Sequence, residues 1–293
     1  MEYRIFGRTD MRLSVVGLGG LLAHYEGFCG HPPPEEKRRI YLRADELGVN
    51  LFDMGYGDEV HIPDELKGNN ADRLFSLKVG AAQAETLEEK VEEHLVNLRR
   101  DAIDILRLHR QRYVEDDQLS ACVARLKQAG KVRSLCLIRH DPVDQEAYAA
   151  TGPEEESDAD LVIYSYVCRT QERGMELAAL EDKGVLIMKA LGGQWLSWED
   201  KTRMDWSVAG REGVEQLSPK GEGIRGDMEL IYPITSGPWG ELAEPGEERV
   251  RPERAVEWVL ENRKVDSALV AFASVAELEE VVLGLKNVHG DRR

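Results

Sequence analysis

Asp53, Lys78 and His109 each stand at the end of a short apolar run: Val49-Asn50-Leu51-Phe52 before the aspartate, Leu74-Phe75-Ser76-Leu77 before the lysine, and the stretch 103–108 before the histidine. A carboxylate, an ammonium and an imidazole are side chains suited to holding and moving protons at neutral pH. They lie far apart in sequence, so they act together only if a fold brings the ends of those runs to one place. A parallel barrel does this, because it gathers the carboxyl ends of its strands at one mouth. Each residue also has a plainer role open to it. Asp53 can cap a turn or pair structurally with Lys78, and a lone histidine is more often a satisfied core residue than a catalytic group. Three such residues at three successive run ends favour a site.

The elements that position them follow a regular alternation. Apolar runs near 13–19, 48–54, 74–80, 103–109, 132–138, 161–166, 185–191 and 267–273 have the length and β-branched content of buried strands. Amphipathic stretches fill the intervals at 35–47, 62–67, 86–99, 116–129, 143–150, 170–183, 252–263 and 276–286, several opened by Thr, Asp or Pro and closed by Gly. Eight strands alternating with eight helices predict an α/β (β/α)8 TIM barrel. The Gly-Arg-Thr-Asp run at 7–10 reads as a turn between two short strands, so residues 1–12 are expected to form a β-hairpin capping the barrel's bottom.

The stretch 194–251 breaks the even spacing. It is rich in Gly, Pro, Trp and acidic residues and sustains neither a helical nor a strand period. A loop this long in a compact domain is a lid or a disordered segment. Trp195, Trp198 and Trp206 favour an ordered lid over the mouth, since disordered segments seldom carry so much aromatic surface. The expected organisation is one domain over 1–293 with 194–251 as its insertion.

Composition excludes other classes. The chain has 293 residues and a net charge of −17, which argues against nucleic-acid or anionic-membrane partners. Cys29, Cys122, Cys136 and Cys168 occur singly, without the spacing of a disulfide framework or a zinc site. The start of the chain lacks an apolar signal core, and no run approaches a membrane span. A reducing cytoplasm is the expected compartment. His24, His31, His61 and Asp64 fall on mouth loops, but their spacing matches no metal site, and none is expected.

Several segments carry a resemblance: YRIFGRTDMRLSVVGLGG, GVNLFDMGYGDE, LFSLKVG, EEKVEEHLVNLRRDAIDILRLHR, LKQAGKVRSL followed by His140, and GVLIMKALGG. In order and spacing the chain resembles the aldo-keto reductase family over nearly its whole length apart from the long loop. The resemblance implies hydride transfer from NADP, or NAD, to a small aldehyde or ketone. It also implies an Asp, Tyr, Lys and His at the barrel mouth. Asp53, Lys78 and His109 match three of these, and Tyr56 is the best match for the tyrosine. A phenol with pKa near 10 donates a proton poorly at neutral pH unless a nearby ammonium stabilises its phenolate. By the resemblance, Lys78 would supply that charge, Asp53 would hold the ammonium, and His109 would orient the carbonyl oxygen.

The chain departs from the family at two places. Only Met54 and Gly55 separate Asp53 from Tyr56, where the family has four residues, so Tyr25 and Tyr113 are alternative donors. On the cofactor side, Ile138, Ile163 and Val167 stand where polar residues hold the carboxamide. Phe272 and Val281 replace a glycine and an asparagine of the nucleotide clamp, leaving Ser274 and Glu280. Without Lys or Arg beside Ser274, preference for a 2′-phosphate is expected to be slight. Leu191-Gly192-Gly193 and the Gly19-Gly20 pair let backbone approach a pyrophosphate, although glycine at strand ends is also ordinary turn chemistry. The competing reading is a barrel that has lost nicotinamide binding and serves a lyase or isomerase reaction or a binding role.

Overall fold

The computed structural model describes residues 1–19, 32–55, 62–80, 82–166, 168–191 and 251–290, with short backbone segments at 194–197, 224–225, 228–231 and 245–246. The chain opens with an antiparallel hairpin, β1 (Tyr3–Ile5) and β2 (Arg12–Ser14), in which Tyr3 lies opposite Ser14. Then come β3 (Val16–Leu18), α1 (Pro34–Glu46), β4 (Leu51–Met54), β5 (Leu74–Lys78), α2 (Ala84–Leu98) and β6 (Ile103–His109). Next are α3 (Arg110–Glu115), α4 (Asp117–Gln128), β7 (Val132–Arg139), α5 (Pro142–Thr151), β8 (Ala159–Ile163), α6 (Glu172–Leu180) and β9 (Gly184–Met188). After the short strands β10 (Gln194–Ser197), β11 (Ile224–Arg225) and β12 (Met228–Ile231), α7 (Pro252–Glu261), β13 (Ser267–Val270) and α8 (Val275–Gly290) complete the order.

Strands β3 to β9 run parallel and β13 closes the ring, pairing with β9 on one side and β3 on the other. The fold is the expected (β/α)8 barrel with an N-terminal hairpin. Local chemistry accounts for the helices. Proline starts α1, α5 and α7, where its missing N–H is not needed. Asp116 caps α4 by accepting from the Gln118 and Leu119 N–H groups at 2.9 and 3.1 Å. In α2, Leu87, Val91, Leu95 and Leu98 form the one buried stripe.

Two expectations need correction. Residues 62–67 do not form an α-helix; only a 3-10 turn at Asp64–Leu66 forms between Pro63 and Gly68, a span too short to nucleate one. The 194–251 stretch is not free of strands, since β10, β12 and β11 form a small antiparallel sheet. The rest of that stretch apart from 245–246, with Trp198 and Trp206, lies outside the described residues. Among the described residues no helix is long and apolar enough to cross a membrane.

A closed barrel has an outer and an inner core. Leu51, Leu74, Ile105, Cys136, Leu161, Leu186 and Leu269 point inward and meet Phe6, Met11 and Leu13 of the hairpin, which plug the bottom. Because side chains alternate along a strand, the same inner face continues upward through Asp53, through Ser76 and Lys78, and through Arg107 and His109. Arg107 is fully buried and forms an ion pair with Asp53, while its Nη2 also donates to the Met54 carbonyl at 3.1 Å.

This pair predicts an asymmetry. Arg107→Met leaves the Asp53 carboxylate buried without the guanidinium beneath it and is expected to lower unfolding free energy by about 3 kcal/mol. Adding Asp53→Asn is expected to recover most of that loss, read by urea denaturation. A second prediction concerns the loop before β13, where Asp266 accepts from the Val185 N–H at 2.8 Å. Burial raises its carboxyl to about 7 from 3.8, against the lowering effect of the Val185 and Gly7 N–H groups and Arg4. A folded-state value above the unfolded one means that this contribution is fully present below about pH 4 and is lost as pH rises through about 7. Asp266→Asn keeps the acceptor and removes the charge. It is expected to raise stability at pH 8 by on the order of 2 kcal/mol and to flatten the pH profile of melting temperature between 5 and 8.

Candidate functional site

Strand register brings the inner-face polar residues together. Asp53 lies opposite Ser76, Lys78 opposite Arg107, and His109 opposite Ile138, so β4, β5, β6 and β7 deliver these groups to adjoining positions at the carboxyl end of the barrel. Asp53 and His109 are buried and Lys78 is half-buried. The chain leaves β4 through Gly55, whose φ of +98° and contact with β5 admit no side chain: a Cβ there would lie 1.9 Å from the Lys78 carbonyl oxygen. Tyr56, next in sequence, lies outside the described residues, as do Tyr25, Gly20, Gly192 and Gly193.

Tyr113, the other alternative donor, is buried on α3 within the outer core. Burial raises its phenol, and Glu156 and Asp158 raise it further, the opposite of what a proton donor at neutral pH needs.

Sequence reasoning misses Arg107. It lies two residues before His109, so alternation places it on the same inner face, and a guanidinium inside an apolar strand was the available signal. Lys189 and His140 are likewise missed as site members. His140, one residue beyond β7, is held down to about 3 by burial, against its contact with Asp141 and with the help of repulsion from Lys189 and Lys78. Lys189, just beyond β9, is lowered to about 7 by burial and by Lys78.

The positions expected to hold a dinucleotide divide. Gly19 donates its N–H to the Val270 carbonyl at 2.7 Å, and a Cβ there would meet Val270 and Ala271 backbone atoms at 2.9 and 3.0 Å, so its smallness serves the closure of β3 on β13. Ile138 is buried in the inner core, and Leu191 packs against the outer one. Ser274 caps the start of α8 by accepting from the Glu277 N–H at 3.2 Å, while Glu277 reaches back past it and accepts from the Ala273 N–H at 2.8 Å. Glu36 of α1 reaches the same helix end and accepts from the Val275 N–H at 2.9 Å. Glu280 is half-buried one turn further along. This helix end, already occupied by two carboxylates, does not fit a 2′-phosphate. At the carboxyl end of β8, Ser165 Oγ and Gln171 Oε1 are buried without hydrogen-bond partners, and such atoms fit an amide.

Comparison with known proteins agrees with this architecture. L-galactose dehydrogenase of Arabidopsis thaliana is 24% identical, over 96% of this chain and 87% of that protein. An aldo-keto reductase from Bacillus halodurans is 20% identical. Its apo form superposes with a TM-score of 0.65 over 98% of this chain and 90% of that one, and its holo form with 0.66 over 98% and 91%. The Aldo/keto reductase family model matches residues 15–288, and the chain therefore belongs to that family of oxidoreductases.

Proposed function

We propose that the protein is a nicotinamide-dependent carbonyl reductase that works on a small aldehyde or ketone and prefers NADH to NADPH. The observation that carries this reading is the inner-face placement of Asp53, Lys78 and His109 at the ends of three adjacent parallel strands. The nicotinamide supplies the hydride when bound. His109 donates a hydrogen bond to the substrate carbonyl oxygen, and Tyr56 delivers the proton to that oxygen. Lys78 stabilises the tyrosinate that remains. Asp53, tied from below by Arg107, fixes the ammonium's position. Gln171 and Ser165 at the end of β8 take the amide of the nicotinamide in place of the apolar Ile138, Ile163 and Val167. Leu191, Gly192 and Gly193, which follow β9, would hold the pyrophosphate, together with Gly20.

The remaining proposals concern organisation. Residues 1–293 form one barrel domain with 194–251 as a lid, supported by the position of that stretch directly after β9 at the mouth. Cytoplasmic residence is supported by the buried Cys122, Cys136 and Cys168, which form no disulfide. A non-redox role is separated from reduction by direct measurement of nucleotide binding.

Two measurements test the reading. Lys78→Met is expected to reduce kcat for aldehyde reduction about 10²–10⁴-fold while leaving NADH affinity nearly unchanged. Turnover equal to wild type removes Lys78 from the chemistry, and no NADH binding by fluorescence titration removes the reductase reading altogether. The cofactor preference is tested at Glu36. Wild type is expected to bind NADH at least about tenfold more tightly than NADPH, and Glu36→Gln to narrow that gap by removing a charge that repels the 2′-phosphate. Strong rejection of NADH in favour of NADPH would show that the nucleotide lies elsewhere.

A further inference from the structure

Glu154, in the loop between α5 and β8, takes no part in the proposed reduction, yet its backbone is firmly tied. Its carbonyl oxygen accepts from the Lys183 ammonium, from the Ser157 N–H at 3.1 Å and from the Ser157 hydroxyl at 2.9 Å. Lys183, buried just before β9, also donates to the Glu155 carbonyl at 3.0 Å. A loop bonded in this way at two successive carbonyls is a fixed point on the barrel wall.

The carboxylate of that fixed residue reaches two arginines. Its Oε1 accepts from Arg110 Nε at 2.7 Å and stands 3.5 Å from Arg139 Nη1. Each arginine directly follows an inner-face residue. Arg110 follows His109 at the end of β6, and Arg139 follows Ile138, the register partner of His109 in β7. Behind the wall, Arg139 Nε donates to Asp160 of β8 at 2.6 Å, and Arg110 Nη1 lies 3.5 Å from Asp144 of α5. One carboxylate oxygen therefore ties two neighbouring strand ends to the same loop. The helix that begins at Arg110 adds little to this hold. Six residues long and without a side-chain cap, α3 is too short for helix formation alone to fix where it starts. Loss of the Glu154 charge leaves the two guanidiniums facing each other across a neutral group, with Arg139 fully buried.

We propose that Glu154 is a positioning residue that sets the place of His109 in the mouth through Arg110, while Arg139 holds the end of β7 to the same carboxylate. The proposal rests on the reductase reading for what His109 does there, donating a hydrogen bond to the substrate oxygen. Such a bond stabilises developing charge only at the right geometry, and a displacement of about 1 Å costs up to about 10²-fold in rate.

Two readouts separate this role from a merely structural one. Glu154→Gln keeps the size of the side chain and removes its charge, and is expected to lower kcat and kcat/KM for aldehyde reduction together by about 10–10²-fold. In a His109→Gln background the same change is expected to cost less than about twofold, because the group it positions is gone. Additive losses overturn the proposal, as does unchanged turnover. The second readout needs neither nucleotide nor turnover: ring proton–carbon NMR spectra of the full chain, with His109 and His94 assigned from their Gln variants. Glu154→Gln is expected to move the His109 signals and to leave those of His94, on α2, in place. Unmoved His109 signals, or equal movement of both, overturn the clamp. A wild-type chain that reduces no aldehyde refutes the reductase reading, and the spectra then decide by themselves whether Glu154 holds His109. Arg110→Lys keeps the charge but not the guanidinium's geometry, and takes the place of Glu154→Gln in both readouts, with the same outcomes expected, should that variant not fold.

Discussion

Strict alternation of side chains in a closed eight-strand barrel governs everything at the mouth. The bottom of the inner face is filled by the hairpin's Phe6, Met11 and Leu13 and a ring of aliphatic residues, so polar groups can occupy only its upper layers. Each inner-face charge must then find its counter-charge within the barrel, because water does not reach it from the plugged end. Arg107 meets that demand for Asp53. Charges on the opposite face are met by different partners. Asp104, one register step from the inner face of β6, accepts from the Phe75 N–H at 2.8 Å and pairs with Arg100 and Arg133. Arg139 and Asp160 pair at 2.6 Å behind the wall of β7 and β8.

The consequence for the mouth is an excess of positive charge. Arg107 shares the Asp53 carboxylate, so that charge alone cannot neutralise both Arg107 and Lys78. Lys189 adds a third cation whose proton is loosely held, and His140 is kept neutral by the same surroundings. Such a field suits an oxygen that gains negative charge as it reacts, or a substrate that carries a carboxylate. The outer rim has the opposite character. Glu36 and Glu277 take the free N–H groups at the start of α8, the favourable end of a helix for an anion. A nucleotide therefore meets a rim that already holds carboxylates and an interior whose Asp53 carboxylate is taken by Arg107.

The alternation of strands and helices was legible because each strand is buried on both faces and reads as a largely apolar run, as β9 does through Val185, Leu186 and Ile187. The ends of those runs located Asp53, Lys78 and His109 at the mouth. Short elements escaped the same reading. Residues 62–67 carry too few residues between Pro63 and Gly68 for a helix, and α3 is one turn and a half of polar sequence with Tyr113 as its single buried residue. The sheet formed by β10, β11 and β12 lies in a stretch where composition conveys no period.

Sequence alone determined the barrel, its order of elements and the strand ends on which acid, ammonium and imidazole stand, because apolar periodicity is a local property written within each segment. Only tertiary structure decided which cation holds Asp53, since Arg107 reaches it through the pairing of β4, β5 and β6, fifty-four positions apart in the chain. It also decided that Gly19 serves strand packing and that Glu36 covers the start of α8. Ion pairing and close approach depend on register and ring closure between distant segments. No window of sequence contains that information.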